Sequence, residues 1–187
     1  MLIETEDTPN PATLKFLPGR EVTGAQGPVD FAHADAAKGG SPLAEMLFAL
    51  PEVQRVFLGE NFVSVTKVED QSWPEVRPLV LSVLTEFFAS GKEALTRPDV
   101  EPSLQIAPED EEVVSRVREL LDTRVRPAVA GDGGDIAFRG YRDGIVYLAM
   151  QGACSGCPSS RATLRHGVEN MLRHYVPEVE GVEAVEE

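Results

Sequence analysis

Two cysteines, Cys154 and Cys157, are the only thiols among 187 residues, and they stand three positions apart in Gln151-Gly152-Ala153-Cys154-Ser155-Gly156-Cys157-Pro158. Side chains at i and i+3, on a glycine-containing loop that enters a helix, can turn both sulfurs toward one point. Three chemistries use such a pair. A dithiol/disulfide redox centre needs these two thiols alone. A structural zinc needs two further Cys or His ligands, and a 4Fe-4S cluster needs about four thiolates in all. The remaining reading, two small buried residues that happen to lie close, is the weaker one, because cysteine is kept more for its reactivity than for its packing.

Composition narrows the setting of this pair. The hydrophobic share of 42% is that of a soluble globular protein. No apolar run reaches the roughly 18 residues needed to cross a bilayer, so no membrane partner is expected. The formal charge of -14 argues against a nucleic-acid partner, since a phosphate-binding surface clusters Lys and Arg. The start, Met1-Leu2-Ile3-Glu4-Thr5-Glu6-Asp7, lacks a basic n-region, an apolar h-region or an Arg-rich presequence. A bacterial cytoplasmic location is expected, with the mitochondrial matrix as the alternative should a presequence have been removed. In such a reducing compartment two cysteines point to metal or redox use rather than to a structural disulfide.

The elements that must position the cysteines follow from pattern. Asn10-Pro11 and Pro18-Gly19 bracket a strand, and further short strands are expected at Glu21 to Thr23 and Val29 to Phe31. Ser41-Pro42 opens a helix with Leu43, Met46, Leu47 and Leu50 on one stripe. Val53 to Leu58 and Phe62 to Val68 form a hairpin around Gly59-Glu60-Asn61. Ser72-Trp73-Pro74 opens a second helix, buried along Val76, Val80, Val83, Leu84 and Phe87 and ended by Gly91. This half holds no Cys and one His, His33, in a Gly- and Ala-rich loop where solvation is the expected state. It reads as a binding or positioning module, spanning residues 1–96.

Residues 97–108, with three prolines, read as a linker. The remainder, 109–187, begins with the acidic run Glu109-Asp110-Glu111-Glu112 at a helix N-terminus. Val113, Val117, Leu120 and Leu121 supply the buried stripe, and Pro127 limits how far a regular helix runs. Gly131-Asp132-Gly133-Gly134-Asp135 reads as a chain reversal rather than a phosphate cradle, because the G-x-x-x-x-G-K-[ST] pattern is missing. Ile136 to Arg139 and Ile145 to Met150 pair around Asp143-Gly144. Pro158 starts a helix with Leu164, Val168, Met171, Leu172 and Tyr175 facing the core; Pro177 stops it, and Val179 to Val185 forms a last strand. The fold class is therefore α+β. It comprises two small sandwich-like domains, a sheet with two helices and then an α-β-β-α-β unit, with the cysteines at a strand-to-helix junction.

Charge suits an anionic guest at that junction. Lys+Arg against Asp+Glu is 8 and 14 in residues 1–98, 0 and 6 in 99–112, and 9 and 11 in 113–187, where five of the eleven acids lie at or beyond Glu178. The body around the cysteines is thus expected to be mildly cationic, although any single Arg reads equally well as solvated surface. A helix N-terminus presents unpaired N–H groups and stabilises thiolates. Arg161 and Arg165, one and two turns past Cys157, could support the bound group or simply face solvent.

A cluster would need two more thiolates, and the simplest source is a second copy across a two-fold axis. Such a shared cluster would lie at an edge, open to incoming thiols, which favours a donor role over electron transfer. For the redox reading, the usual aromatic before the motif and Pro within it are replaced by Gly152-Ala153 and Ser155-Gly156. For zinc, His166 and His174 do not stand at finger spacing.

Leu120-Leu121-Asp122, Arg126-Pro127, Asp132-Gly133-Gly134-Asp135-Ile136, Gly152 through Ser160, Glu169-Asn170-Met171-Leu172 and Val176-Pro177-Glu178-Val179 resemble the NifU-like C-terminal domain of Nfu-type iron-sulfur carriers. Pro9 through Phe16, Ser41-Pro42-Leu43-Ala44, Val56-Phe57-Leu58-Gly59, Val65-Thr66-Lys67 and Trp73 are similar to the N-terminal domain of the same family. The resemblance covers nearly the whole chain. It implies a non-enzymatic scaffold or late-acting carrier, with Cys154 and Cys157 as ligands of a 4Fe-4S cluster shared by a homodimer. Apo iron-sulfur proteins are the implied recipients. The chain lacks the N-terminal cysteine scaffold and central ferredoxin-like segment of full-length NifU proteins, so an upstream scaffold is the implied donor. A dithiol oxidoreductase is the alternative.

Overall fold

Alternating apolar residues in short, turn-bounded runs build the first sheet. Its strands are β1 (Glu4–Asp7), β2 (Thr13–Leu17), β3 (Val29–Phe31), β4 (Val53–Leu58) and β5 (Val63–Lys67), all antiparallel in the order β1-β2-β5-β4-β3. The period of two sends Leu14, Phe16, Val56, Leu58, Val63 and Val65 to one face. There they pack with Leu43 and Leu47 of α2 (Pro42–Phe48) and with Val76, Val80, Leu84 and Phe87 of α3 (Trp73–Ala89). The one-turn helix α1 (Ala34–Ala37) precedes α2.

The computed structural model describes residues 2–96, 106–155 and 158–185. By contacts the chain divides into two units, Met1–Val100 and Glu101–Glu187. Most of the expected linker, 97–105, lies outside the described residues; at its end Pro108 opens the 3-10 turn Pro108–Asp110, and Ile106 packs on the second core.

The helix starts are as the sequence suggests. Ser41 Oγ accepts from the Ala44 N–H at 3.0 Å and donates to the Ala94 carbonyl at 2.6 Å, and Pro42 occupies the first turn, where no N–H is needed. Trp73 donates its indole N–H to the Pro11 carbonyl at 3.0 Å and meets Phe16 edge-on, fixing α3 to the β1–β2 turn. His33 is exposed, and its Nδ1 caps α1 by accepting from the Ala36 N–H. One expectation fails. Residues 21–23 form no strand; they run into a 3-10 turn, Gly24–Gln26, and bond to the β4–β5 turn through Val22 N–H to the Glu60 carbonyl and Thr23 Oγ1 to the Gly59 carbonyl. Left-handed backbone at Gly19, Gly24 and Gly27 breaks the extended run.

The second unit follows the expected α-β-β-α-β order. A helical segment runs through α4 (Glu111–Leu120), a π turn (Leu121–Val125) and α5 (Arg126–Gly131). Pro127 stands in the first turn of α5, so the regular helix ends before it and resumes around it. Then come β6 (Gly134–Arg142), β7 (Ile145–Gly152), α6 (Pro158–Tyr175) and β8 (Gly181–Val185), in sheet order β6-β7-β8. Strand β7 is antiparallel to β6 and parallel to β8, with α6 as the crossover between them. Asp143 and Gly144, with φ of 50° and 79°, make the tight turn that matches strand twist.

The second core joins Val114, Val117, Leu121, Val125 and Val129 to Ile136, Val146, Leu148 and Met150 of the sheet and to Val168 and Leu172 of α6. Of the expected stripe positions, Val113, Leu120, Leu164 and Met171 are only half-buried against this core, and Tyr175 is exposed. Val114 is the fully buried residue of the first turn while Val113 is half-buried, and Tyr175 is 44% exposed. The amphipathic phenol ends α6 at the surface, with the Arg124 guanidinium 4.8 Å from its ring centroid and His174 edge-on at 4.9 Å. No helix among the described residues is long and apolar enough to cross a membrane.

Candidate functional site

Strand β7 delivers the chain to the cysteine loop, and the last residues of β7 are held by the first residues of β6. Gly152 pairs with Gly134 and Gln151 with Asp135. Gly152 turns out of the strand at φ 63°, a left-handed conformation that favours glycine. The chain then forms the 3-10 turn Ala153–Ser155, which carries Cys154, and α6 begins at Pro158 as expected. The Ala153 N–H donates to the Gly133 carbonyl at 3.2 Å, and Ser155 Oγ donates to the Gly152 carbonyl at 2.7 Å. Cys157, the second expected ligand, lies outside the described residues.

The thiol of Cys154 rests on Gly134. A Cβ there would stand 2.7 Å from Cys154 Sγ and 2.6 Å from the Gln151 carbonyl oxygen. Gly134 has no left-handed backbone to explain it, whereas Gly133 does at φ 80°. The two glycines therefore do different work, one turning the chain and the other leaving room for sulfur. Both were legible as a chain reversal; the close approach was signalled only by a second glycine where one suffices for a turn.

An ion pair that sequence reasoning left without a role anchors this brace. Arg126 grips Asp135 with two bonds, Nε to Oδ1 and Nη2 to Oδ2, both 2.9 Å, and reaches Asp122 Oδ1 with Nη1 at 3.0 Å. The Asp135 side chain is 6% exposed, that of Arg126 35%. Bidentate geometry and burial make this stronger than a surface pair, and hydrogen bonding to Asp135 holds the Arg126 guanidinium above its ordinary pKa. It ties the start of α5 to the start of β6, and through Gln151 and Gly152 to the cysteine loop.

The electrostatics at Cys154 reverse one expectation. Cys154 is 8% exposed. Burial first, and then the nearby carboxylates of Asp132 and Asp135, push its thiol up from 9.0 to about 12. Among the described residues, burial is the larger effect on this sulfur and the charges that act on it are those of two carboxylates, so both disfavour its thiolate. Arg161 and Arg165 are half-buried on α6, and His166 and His174 are exposed. Among the described residues no three His, Cys, Asp or Glu side chains gather at one point.

Cys154 is thus a buried thiol on a diglycine brace, at a strand-to-helix junction of an α+β domain. A family profile described as NifU-like domain matches residues 117–183, and another, described as Scaffold protein Nfu/NifU N terminal, matches residues 3–91. Over 185 residues the chain is 50% identical to the "NFU1 iron-sulfur cluster scaffold homolog, mitochondrial" of Drosophila ananassae and 49% identical to that of Drosophila simulans. These alignments cover 99% of this chain and 64% and 65% of those proteins, so the chain spans just under two thirds of their length. It is also similar to the solution NMR structure of a NifU-like protein from Saccharomyces cerevisiae, with a TM-score of 0.47 and 24% identity over 52% of this chain and 86% of that one. The chain belongs to the Nfu family, in which an Nfu/NifU N-terminal domain precedes a NifU-like domain.

Proposed function

We propose that this protein carries a labile 4Fe-4S cluster, bound by Cys154 and Cys157 from each of two subunits, and passes it to apo iron-sulfur proteins. The observation that supports this reading is the brace: Cys154 is seated against Gly134, and Cys157 follows three positions on in the sequence, so each chain offers two thiols. A cubane takes about four thiolates, and a second copy supplies the other two with the same patch. The scaffold designation of the relatives supports the same role.

The cluster is cargo, and the protein's part is to hold and release it by ligand exchange. Each carrier thiolate that leaves iron takes up the proton given up by the incoming recipient thiol, and iron and sulfide move together without a change in oxidation state. No bond of an organic substrate is made or broken, so the role is non-enzymatic. An upstream scaffold is the donor. Residues 1–96 orient recipients or the carrier domain, 97–108 link, and 109–187 hold the cluster. The relatives are named mitochondrial; for this chain we infer a reducing compartment, cytoplasm or matrix, since thiol ligands must stay reduced.

A dithiol oxidoreductase is the competing reading. Its attacking sulfur needs exposure, and Cys154 is buried. Anaerobic reconstitution followed by counting iron and sulfide per dimer separates the two. The carrier binds close to four of each per dimer and loses them in Cys154→Ala and Cys157→Ala. A chain that takes up no iron but reduces a disulfide substrate, or holds a full cluster as a monomer, overturns the proposal.

A further inference from the structure

Tyr175 ends α6 at the surface, and three side chains are arranged around it. The Arg124 guanidinium lies 4.8 Å from its ring centroid with Nη1 3.4 Å from the phenol oxygen, His174 meets the ring edge-on at 4.9 Å, and Arg116 Nη2 donates to the Tyr175 carbonyl at 3.1 Å. Leu120 falls midway between the two arginines in sequence, and both of them reach Tyr175, so it lies on the same flank, half-buried against the core. The two arginines are differently engaged. Arg116 is paired with Glu178 through Nη1 at 3.1 Å, and the other nearby acid, Asp122, is held by Arg126. Arg124, in the π turn, is exposed and forms no ion pair among the described residues.

We infer that this clasp docks an acidic, apolar segment of a partner protein, which sets a carboxylate on Arg124 and an aliphatic side chain on Tyr175 and Leu120. Charge decides the occupant. An exposed guanidinium without a carboxylate of its own, on a chain of formal charge -14, is a local attractor for acid, and its planar fork takes a carboxylate with two bonds. Stacking on the phenol ring holds that fork near one geometry in advance, so less rotamer freedom is lost on binding. Tyr and Arg side by side are also the residue types that dominate interface energies. A second copy, brought to the same patch across a two-fold axis, would set Arg124 against Arg124. The patch is remote from Cys154. The 3-10 turn that carries this thiol precedes the first residue of α6, whereas Tyr175 is the last, about 26 Å further along the helix at about 1.5 Å per residue. A partner is therefore held here without covering Cys154, and the inference goes beyond the carrier reading and does not depend on it.

Fluorescence anisotropy on the full apo chain tests this, with a fluorescein-labelled peptide of repeating Glu-Ala-Leu-Glu and its Gln-Ala-Leu-Gln counterpart as probes. The acidic peptide binds saturably at low salt, and the neutral one about tenfold more weakly, the size of one charge-assisted bond. Arg124→Gln loses the same factor of about ten for the acidic peptide. Arg124→Lys and Tyr175→Ala each lose about two- to fivefold, because lysine keeps the charge without the fork and alanine frees the guanidinium. Arg142→Gln, which removes an exposed charge at the end of β6, leaves binding unchanged. Urea midpoints equal to that of wild type tie these losses to the contact, since Arg124 and Tyr175 are both exposed. Four results overturn the inference: no saturable binding by wild type, an equal loss in Arg142→Gln, full affinity in Arg124→Lys, or displacement of the peptide by an equal concentration of inorganic phosphate, which marks a small-anion site. None of them bears on iron uptake, which tests the carrier reading by itself.

Discussion

Gly134 and Cys154 are packed so closely that only a hydrogen on the glycine Cα fits, a methyl group there coming within 2.7 Å of the sulfur and 2.6 Å of the Gln151 carbonyl. Because backbone is among the obstructing atoms, rotation of one side chain does not relieve the clash. Gly134→Ala must part β6 from the end of β7 and displace the thiol. Overpacking of this kind costs ~1–3 kcal/mol. The expected outcome is a lowered urea midpoint together with iron uptake well below that of wild type. Native stability with full iron content would remove Gly134 from the site.

The Arg126–Asp135 pair is asymmetric in burial, and its two single variants should differ accordingly. Arg126→Met removes both guanidinium bonds from a nearly inaccessible carboxylate, at a cost of roughly 3 kcal/mol. Asp135→Asn leaves a guanidinium that is 35% exposed and still bonded to Asp122, so the loss is nearer ~1 kcal/mol. Chemical denaturation followed by far-UV circular dichroism measures both, and equal losses would contradict the burial argument.

The frame of the second unit was readable in sequence because its signals are local. Pro158 at a helix start, Val168 and Leu172 at helical spacing, and Asp143-Gly144 between two β-branched runs each dictate their own few residues. What escaped was set by tertiary contact. Arg126 and Asp135 are nine positions apart, on a helix and a strand, and nothing in the spacing announces their bond. The state of Cys154 likewise depends on burial by distant segments, which outweighs the helix-terminus rule that the junction suggests. Tyr175 kept the helical period of a core residue but took Arg124 and His174 at the surface, since periodicity gives the face of a helix and not where the core ends.

A thiol at about 12 has a recognisable reactivity profile. In the Cys157→Ser chain Cys154 stays protonated at pH 8, so alkylation by iodoacetamide is slow and rises about tenfold per pH unit through pH 10, following the thiolate fraction. A rate half-maximal near pH 9.0 and level well above it would show an ordinary thiol. The same shift fixes the sign of a stability effect. The folded-state value lies above the ordinary 9.0, so the contribution is fully present below pH 9.0 and is lost as pH rises toward about 12. Unfolding midpoints of this chain should therefore fall above pH 9 more steeply than those of Cys154→Ala/Cys157→Ser.

The described residues form two hydrophobic clusters that share no member, and Trp73, the chain's one tryptophan, belongs to the first. Its indole is fixed by Pro11 and Phe16, so its fluorescence reports that cluster alone. Leu172 is fully buried in the second, and truncating such a residue costs ~2–5 kcal/mol. If the clusters melt separately, Leu172→Ala lowers one thermal transition seen by far-UV circular dichroism and leaves the Trp73 transition where it was, while Leu84→Ala does the reverse. A single transition that moves in both probes for either variant would mean that the two halves fold as one.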